Sequence, residues 1–117
     1  MPAASYDFDI EQGATLIKQF VWKDSTGTPV NLTGFIANMQ VRQSASSPDV
    51  LLALSTTTGG ITITPLLGKI TLTFTATMTA AIAWRRGKYD LELTSNDGTV
   101  TRLIEGEINV SKEVTRV

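Results

Sequence analysis

A chain of 117 residues, 42% hydrophobic and 18% charged, has the size and composition of one globular domain; it is too short for two cores and too apolar to stay disordered. Ten basic and eleven acidic residues leave a formal net charge of -1, which excludes a global field that would draw the chain onto nucleic acid or an anionic membrane. With neither Cys nor His, disulfides, thiolate and imidazole metal sites, and Ser-His-Asp or Cys-His nucleophiles are excluded as well.

The first residues, MPAASYDFDIEQGA, carry no basic region followed by a long apolar run. No stretch of the chain approaches the roughly 18 to 20 apolar residues needed to span a bilayer. A soluble chain with no membrane partner is expected, and the lack of cysteine fits a cytosolic origin. The sequons at Asn31 and Asn109 would matter only in a eukaryotic secretory pathway and are read as chance.

Period-two alternation dominates from the start. Tyr6, Phe8 and Ile10 point one way and Asp7, Asp9 and Glu11 the other, an amphipathic first strand, so residues 1–14 read as an N-terminal arm or edge strand. TLIKQFVWK follows, with Leu16, Phe20 and Trp22 opposed to Ile17 and Val21, as expected for a strand covered on both faces, one cover being a place for another protein. DSTGTPV is a turn, and FIANMQVRQ is a third strand with Phe35, Ala37, Met39 and Val41 inward. SASSPD reads as a loop, VLLALS as a short strand, TTTGG as a break before ITIT, and 65–68 as a turn.

In GKITLTFT, Ile70, Leu72 and Phe74 share one face while Thr71, Thr73 and Thr75 share the other, wet one. ATMTAAIAW breaks the alternation and makes one or two helical turns near 76–84, with Met78, Ala81 and Ile82 inward, as a crossover between sheets. Tyr89, Leu91 and Leu93 then alternate with Asp90, Glu92 and Thr94, and Asn96-Asp97-Gly98 supplies the positive φ of a hairpin turn. The return strand carries Val100, Arg102, Ile104, Ile108 and Val110. Adjacent Leu103 and Ile104, followed by Gly106, predict a bulge, and 111–117 form a tail. About eight short strands with frequent turns predict an all-β, immunoglobulin-like two-sheet sandwich, one domain over 1–117. Its core is expected from Leu16, Phe20, Phe35, Met39, Val41, Ile70, Leu72, Phe74, Tyr89, Leu91 and Leu93.

Only carboxylates remain as acids, bases or ligands. Asp7/Asp9, Asp90/Glu92 and Glu105/Glu107 each share a strand face, but all lie on the polar side of an alternating pattern and read as solvated. Asp7-x-Asp9-x-Glu11 resembles the start of a calcium loop but has Gln12 where the turn glycine belongs and lacks the bidentate Glu. The Thr rows at 62/64 and 71/73/75 read as ordinary half-buried strand residues rather than an ice- or glycan-binding ladder. No catalytic residue, metal, cofactor or small-molecule substrate is expected, and hence no enzyme. Arg85, Arg86 and Lys88, preceded by Trp84, form the one dense basic cluster. Without a basic surface around it, this cluster suits contact with protein better than nucleic acid; the alternative is that Trp84 caps the core and the charges face water.

Several segments resemble a family of small β-sandwich proteins encoded among the virion genes of tailed bacteriophages. They are the turn at 24–30, the Leu32-Thr33-Gly34 step into a strand, Gly87-x-Tyr89-x-Leu91-x-Leu93, and Asp97-Gly98-Thr99. The arrangement is also similar to the N-terminal domain of upper baseplate proteins in some siphophages. In that family a Pro often precedes the Gly-x-Tyr step, where this chain has Trp84-Arg85-Arg86, so the crossover is expected to differ. The resemblance implies a virion protein, made in the bacterial host cytoplasm, that acts as a neck, tail or baseplate adaptor or fibre support through contacts with other virion proteins. A capsid decoration protein and a carbohydrate-binding sandwich module are the alternatives.

Charge placement adds an expectation about self-assembly. Residues 1–14 hold Asp7, Asp9 and Glu11 with no Lys or Arg, whereas 84–88 hold three cations and no acid. In a homo-oligomer, one subunit's acidic strand would lie head-to-tail against the next subunit's basic crossover, with Tyr6, Phe8 and Trp84 in apolar contact. The opposed reading is an intramolecular strand with its charges in water.

Overall fold

Alternation of apolar and polar side chains becomes nine strands in two sheets in the computed structural model, which describes residues 3–115. Parts of the expected arm and tail, residues 1, 2, 116 and 117, lie outside the described residues. The strands are β1 (Ala4–Ser5), β2 (Phe8–Glu11), β3 (Leu16–Val21), β4 (Ile36–Arg42), β5 (Leu52–Ser55), β6 (Ile61–Thr64), β7 (Lys69–Phe74), β8 (Arg86–Thr94) and β9 (Val100–Ser111). A 3-10 turn (Pro65–Leu67) joins β6 to β7, and helix α1 (Ala76–Ala80) carries the chain from β7 to β8. The larger sheet runs β9, β8, β4, β5, with β1 and β2 both along the outer edge of β9; the smaller runs β3, β7, β6. This is the expected all-β two-sheet sandwich.

The core lies between the sheets. Met39, Val41, Ile70, Leu72, Phe74, Tyr89, Leu91 and Leu93 are buried there, joined by Phe8, Ile10, Ile104 and Ile108. Leu16, Phe20 and Phe35 pack against the core but are only half-buried, because β3 is a sheet edge and Phe35 stands at the entry to β4. Only one face of β3 is covered: Ile17 remains 58% and Val21 46% exposed. Apolar residues on both faces of a strand therefore did not mean two covers within this chain.

The return strand carries the predicted bulge. Leu91 pairs with Ile104 and Glu92 with Arg102, so Leu103 has no partner on β8 and the facing shifts there. At the hairpin tip only Gly98, at φ 87°, takes the left-handed conformation; Asn96 and Asp97 do not. The crossover differs in two details from expectation. Helix α1 stops at Ala80, and Ala81 is exposed, whereas Thr79 is fully buried in its stead. The N-terminal arm is an edge strand parallel to β9, Phe8 pairing with Ile108 and Ile10 with Val110. It is broken at Tyr6-Asp7, which leaves Tyr6 39% exposed.

Candidate protein-contact surfaces

The acidic arm and the basic segment lie on the same sheet of the same chain. β9 runs between them, so that Asp9 and Arg86 flank Asn109, and Arg86 Nε donates to Asn109 Oδ1 at 3.3 Å. One row further, Asp7 Oδ1 accepts from the Glu107 N–H at 2.8 Å and Lys88 Nζ lies 3.9 Å from Glu107 Oε1. Asp7, Asp9, Arg85, Arg86 and Lys88 are exposed. Phe8 departs from the role foreseen for it. Its ring is buried against Tyr89 and Phe74, with centroids 5.2 and 6.0 Å apart, and it cannot face a neighbour. Tyr6 packs edge-on to Phe20 at 5.5 Å and accepts from Lys18 Nζ at 3.0 Å, while Trp84 is half-buried against the core.

The outer face of the larger sheet is an open polar trough of about 840 Å³. Asp7, Asp90, Glu92, Glu105 and Glu107 of the carboxylate pairs noted in the sequence line it, whereas Asp9 does not, a convergence visible only once the N-terminal arm, β9 and β8 are neighbours. Arg102 is shared between Asp90 at 3.5 Å and Glu105 at 3.2 Å. Such half-exposed pairs contribute about 0 to 1 kcal/mol and mainly set the pattern of charge on the face. Among the described residues, no group of three or more Asp or Glu is arranged to hold a metal ion.

The outer face of the smaller sheet has a different character. Ile17, Gln19 and Val21 of β3 stand beside Thr73, Thr71 and Lys69 of β7, with Thr62 and Thr64 of β6 beyond. No carboxylate belongs to any of these three strands. At the β3 edge the two sheets part, leaving a crevice of about 350 Å³ lined by Ala4, Phe20, Val21, Trp22, Lys23, Leu103 and Ile104. Nothing in the sequence signalled this crevice, because its walls come from both ends of the chain.

Two turns hold these surfaces in place. Asp24 Oδ1 accepts from the Thr26 hydroxyl at 2.6 Å, the Thr28 N–H at 3.0 Å and the Thr26 N–H at 2.9 Å. Those bonds, the Thr26 hydroxyl foremost, hold its carboxyl below the usual carboxylate range. Asp97 does the same in the β8–β9 hairpin, accepting from the Ser95 hydroxyl and from the Thr99 N–H at 3.0 Å, again with a lowered pKa. No protein-family model matches the chain, and no curated protein matches it. No helix among the described residues is long and apolar enough to cross a membrane.

Proposed function

We propose that the chain is a non-enzymatic structural subunit of a tailed-phage virion, serving as a neck, tail or baseplate adaptor or fibre support. The observation that carries a contact role is the outer face of the smaller sheet. It is Thr-rich, it lacks carboxylates, and it holds Ile17 and Val21 in water. Apolar side chains held on a hydrogen-bonded strand lose water at little entropic cost when a neighbour covers them. The resemblance to phage sandwich proteins supplies the setting. Its segments fall on the Asp24 and Asp97 turns and on β8, the rigid frame that fixes the faces relative to one another.

Function here is geometric: two broad faces of unlike character, one a trough of charges and the other apolar and Thr-rich, give neighbouring subunits different surfaces to grip. The test is to purify particles from the host that encodes the chain, quantify it by mass spectrometry and map its neighbours by cross-linking. A copy number of a few to a few dozen, with cross-links to tail or neck proteins, supports the adaptor role. Hundreds of copies cross-linked to the major capsid protein favour a decoration protein, and absence from the particle overturns the reading.

A further inference from the structure

β3 is the longest open edge of the sandwich. It has six residues, against two in β1 and four each in β2, β5 and β6, and the β5–β6 side is already joined by the bridge between Ser55 and Gly60. Natural edges are usually blunted by Pro, a bulge or an outward Lys. β3 has none of these devices: its one charge, Lys18, points inward to the Tyr6 hydroxyl. The direction of its backbone follows from register. The Trp22 N–H donates to Gly68 O at 2.8 Å, so Phe20, Lys18 and Leu16 address β7, while the N–H and C=O groups of Ile17, Gln19 and Val21 point away from the sheet.

These three outward residues are symmetric about Gln19. We propose that β3 is a homodimerisation edge, on which a second copy of this chain pairs antiparallel about a two-fold axis at Gln19 and joins the two smaller sheets into one. Ile17 then stands opposite Val21 of the second copy and Gln19 opposite its counterpart, each pair exchanging backbone hydrogen bonds. The β-branched pairs would cover the side chains now 58% and 46% exposed. On the inner face Lys18 faces Phe20 of the second copy, and Leu16 of the second copy faces Trp22 at the mouth of the apolar crevice.

The fit of the edge's own side chains to one another favours a second copy, and charge selects the register. Lys18 is the sole charged residue of β3, and centring the axis on Gln19 keeps it opposite an aromatic ring; centring on Lys18 would set two ammonium groups face to face. Lys18 Nζ already sits 5.5 Å from the Tyr6 ring and 5.6 Å from the Phe8 ring, an aromatic setting of the kind a second Phe20 would extend.

Sedimentation velocity of the purified chain, combined with residue-resolved hydrogen exchange, tests this. The expected result is a concentration-dependent dimer in which the amides of Ile17, Gln19 and Val21 exchange as slowly as those of Lys18 and Phe20. Gln19→Pro removes an outward N–H and no bond to β7, so it should abolish the dimer. Ile17→Lys combined with Val21→Lys acts on side chains that are already exposed, keeps the fold, and should do the same by opposing like charges. A monomer at every concentration, a dimer that survives both variants, or a dimer whose outward amides exchange fast overturns the proposal. Protection of those amides only on adding a different protein overturns it too, and assigns the edge to a foreign strand.

Discussion

The Tyr89 hydroxyl donates a 2.6 Å hydrogen bond to the Tyr6 carbonyl, reaching over Gly106 of β9 to tie the N-terminal arm to the middle of β8. Burial pushes the Tyr89 phenol above its ordinary range, so it remains a donor at neutral pH. Because the folded-state pKa is raised, the stabilisation is full below the unfolded value near 10.0 and is lost as pH climbs above it. Tyr89→Phe should cost about 1 to 3 kcal/mol in denaturant unfolding at pH 7, since a half-buried carbonyl loses its partner. The variant should also lose less stability than wild type between neutral and strongly alkaline pH. Equal alkaline losses in the two proteins would contradict this role.

Gly106 is what allows that approach. A Cβ at this position would collide with the Tyr6 carbonyl oxygen, a backbone atom that cannot rotate away. Gly106→Ala should therefore displace the arm at Ala4 to Tyr6 and destabilise by about 1 to 3 kcal/mol, as overpacking does. Hydrogen exchange should show the Tyr6 amide, now bonded to Glu105 O at 2.9 Å, opening first.

Substituting Leu91 by Asp should prevent folding. Leu91 is fully buried between Met39 and Ile104 on the flanking strands. An unpaired carboxylate there costs several kcal/mol against a total stability of roughly 5 to 15 kcal/mol. A cooperative melt with wild-type far-ultraviolet dichroism would refute the β8 register.

Much of the fold was legible because the larger sheet has one wet face, which forces strict alternation on β4 and β8. The bulge was legible as well, since Leu103 and Ile104 cannot both face inward on a regular strand. β3 was harder to read: apolar residues on both faces signal burial but do not say whether this chain or another supplies it. The trough and the crevice were invisible, because their walls depend on β1 and β2 lying parallel to β9, a pairing of residues about a hundred positions apart for which periodicity carries no signal. Thr79 escaped notice because a threonine on a short helix looks polar until its partners are known.

Acid should weaken the hairpin tip. Asp97 has a lowered pKa, first from the Ser95 hydroxyl and then from the Thr99 amide. Its contribution is present above the unfolded value of 3.8 and disappears as pH falls through the lower folded value. Asp97→Ala should lower the melting temperature at pH 7, and that effect should shrink as pH falls below 3.8 and through the lower folded value. Calorimetry across a descending pH series checks this; an effect that stays constant throughout would mean that the carboxylate's charge plays no part.

Thr79 links the crossover to the turn between β2 and β3. Its hydroxyl accepts from the Gly13 N–H at 3.0 Å and lies 2.9 Å from the Ala14 carbonyl it can donate to, both within a part-buried site. Thr79→Val keeps the shape but strips both backbone groups of their partner, an expected loss of about 2 to 3 kcal/mol. Thr79→Ser keeps the hydroxyl and removes one methyl, an expected loss of about 1 kcal/mol. Urea unfolding of the pair separates the two contributions. If Val is tolerated and Ser is the more damaging change, packing of the methyl holds the crossover against the β2–β3 turn, and the hydrogen bonds do not.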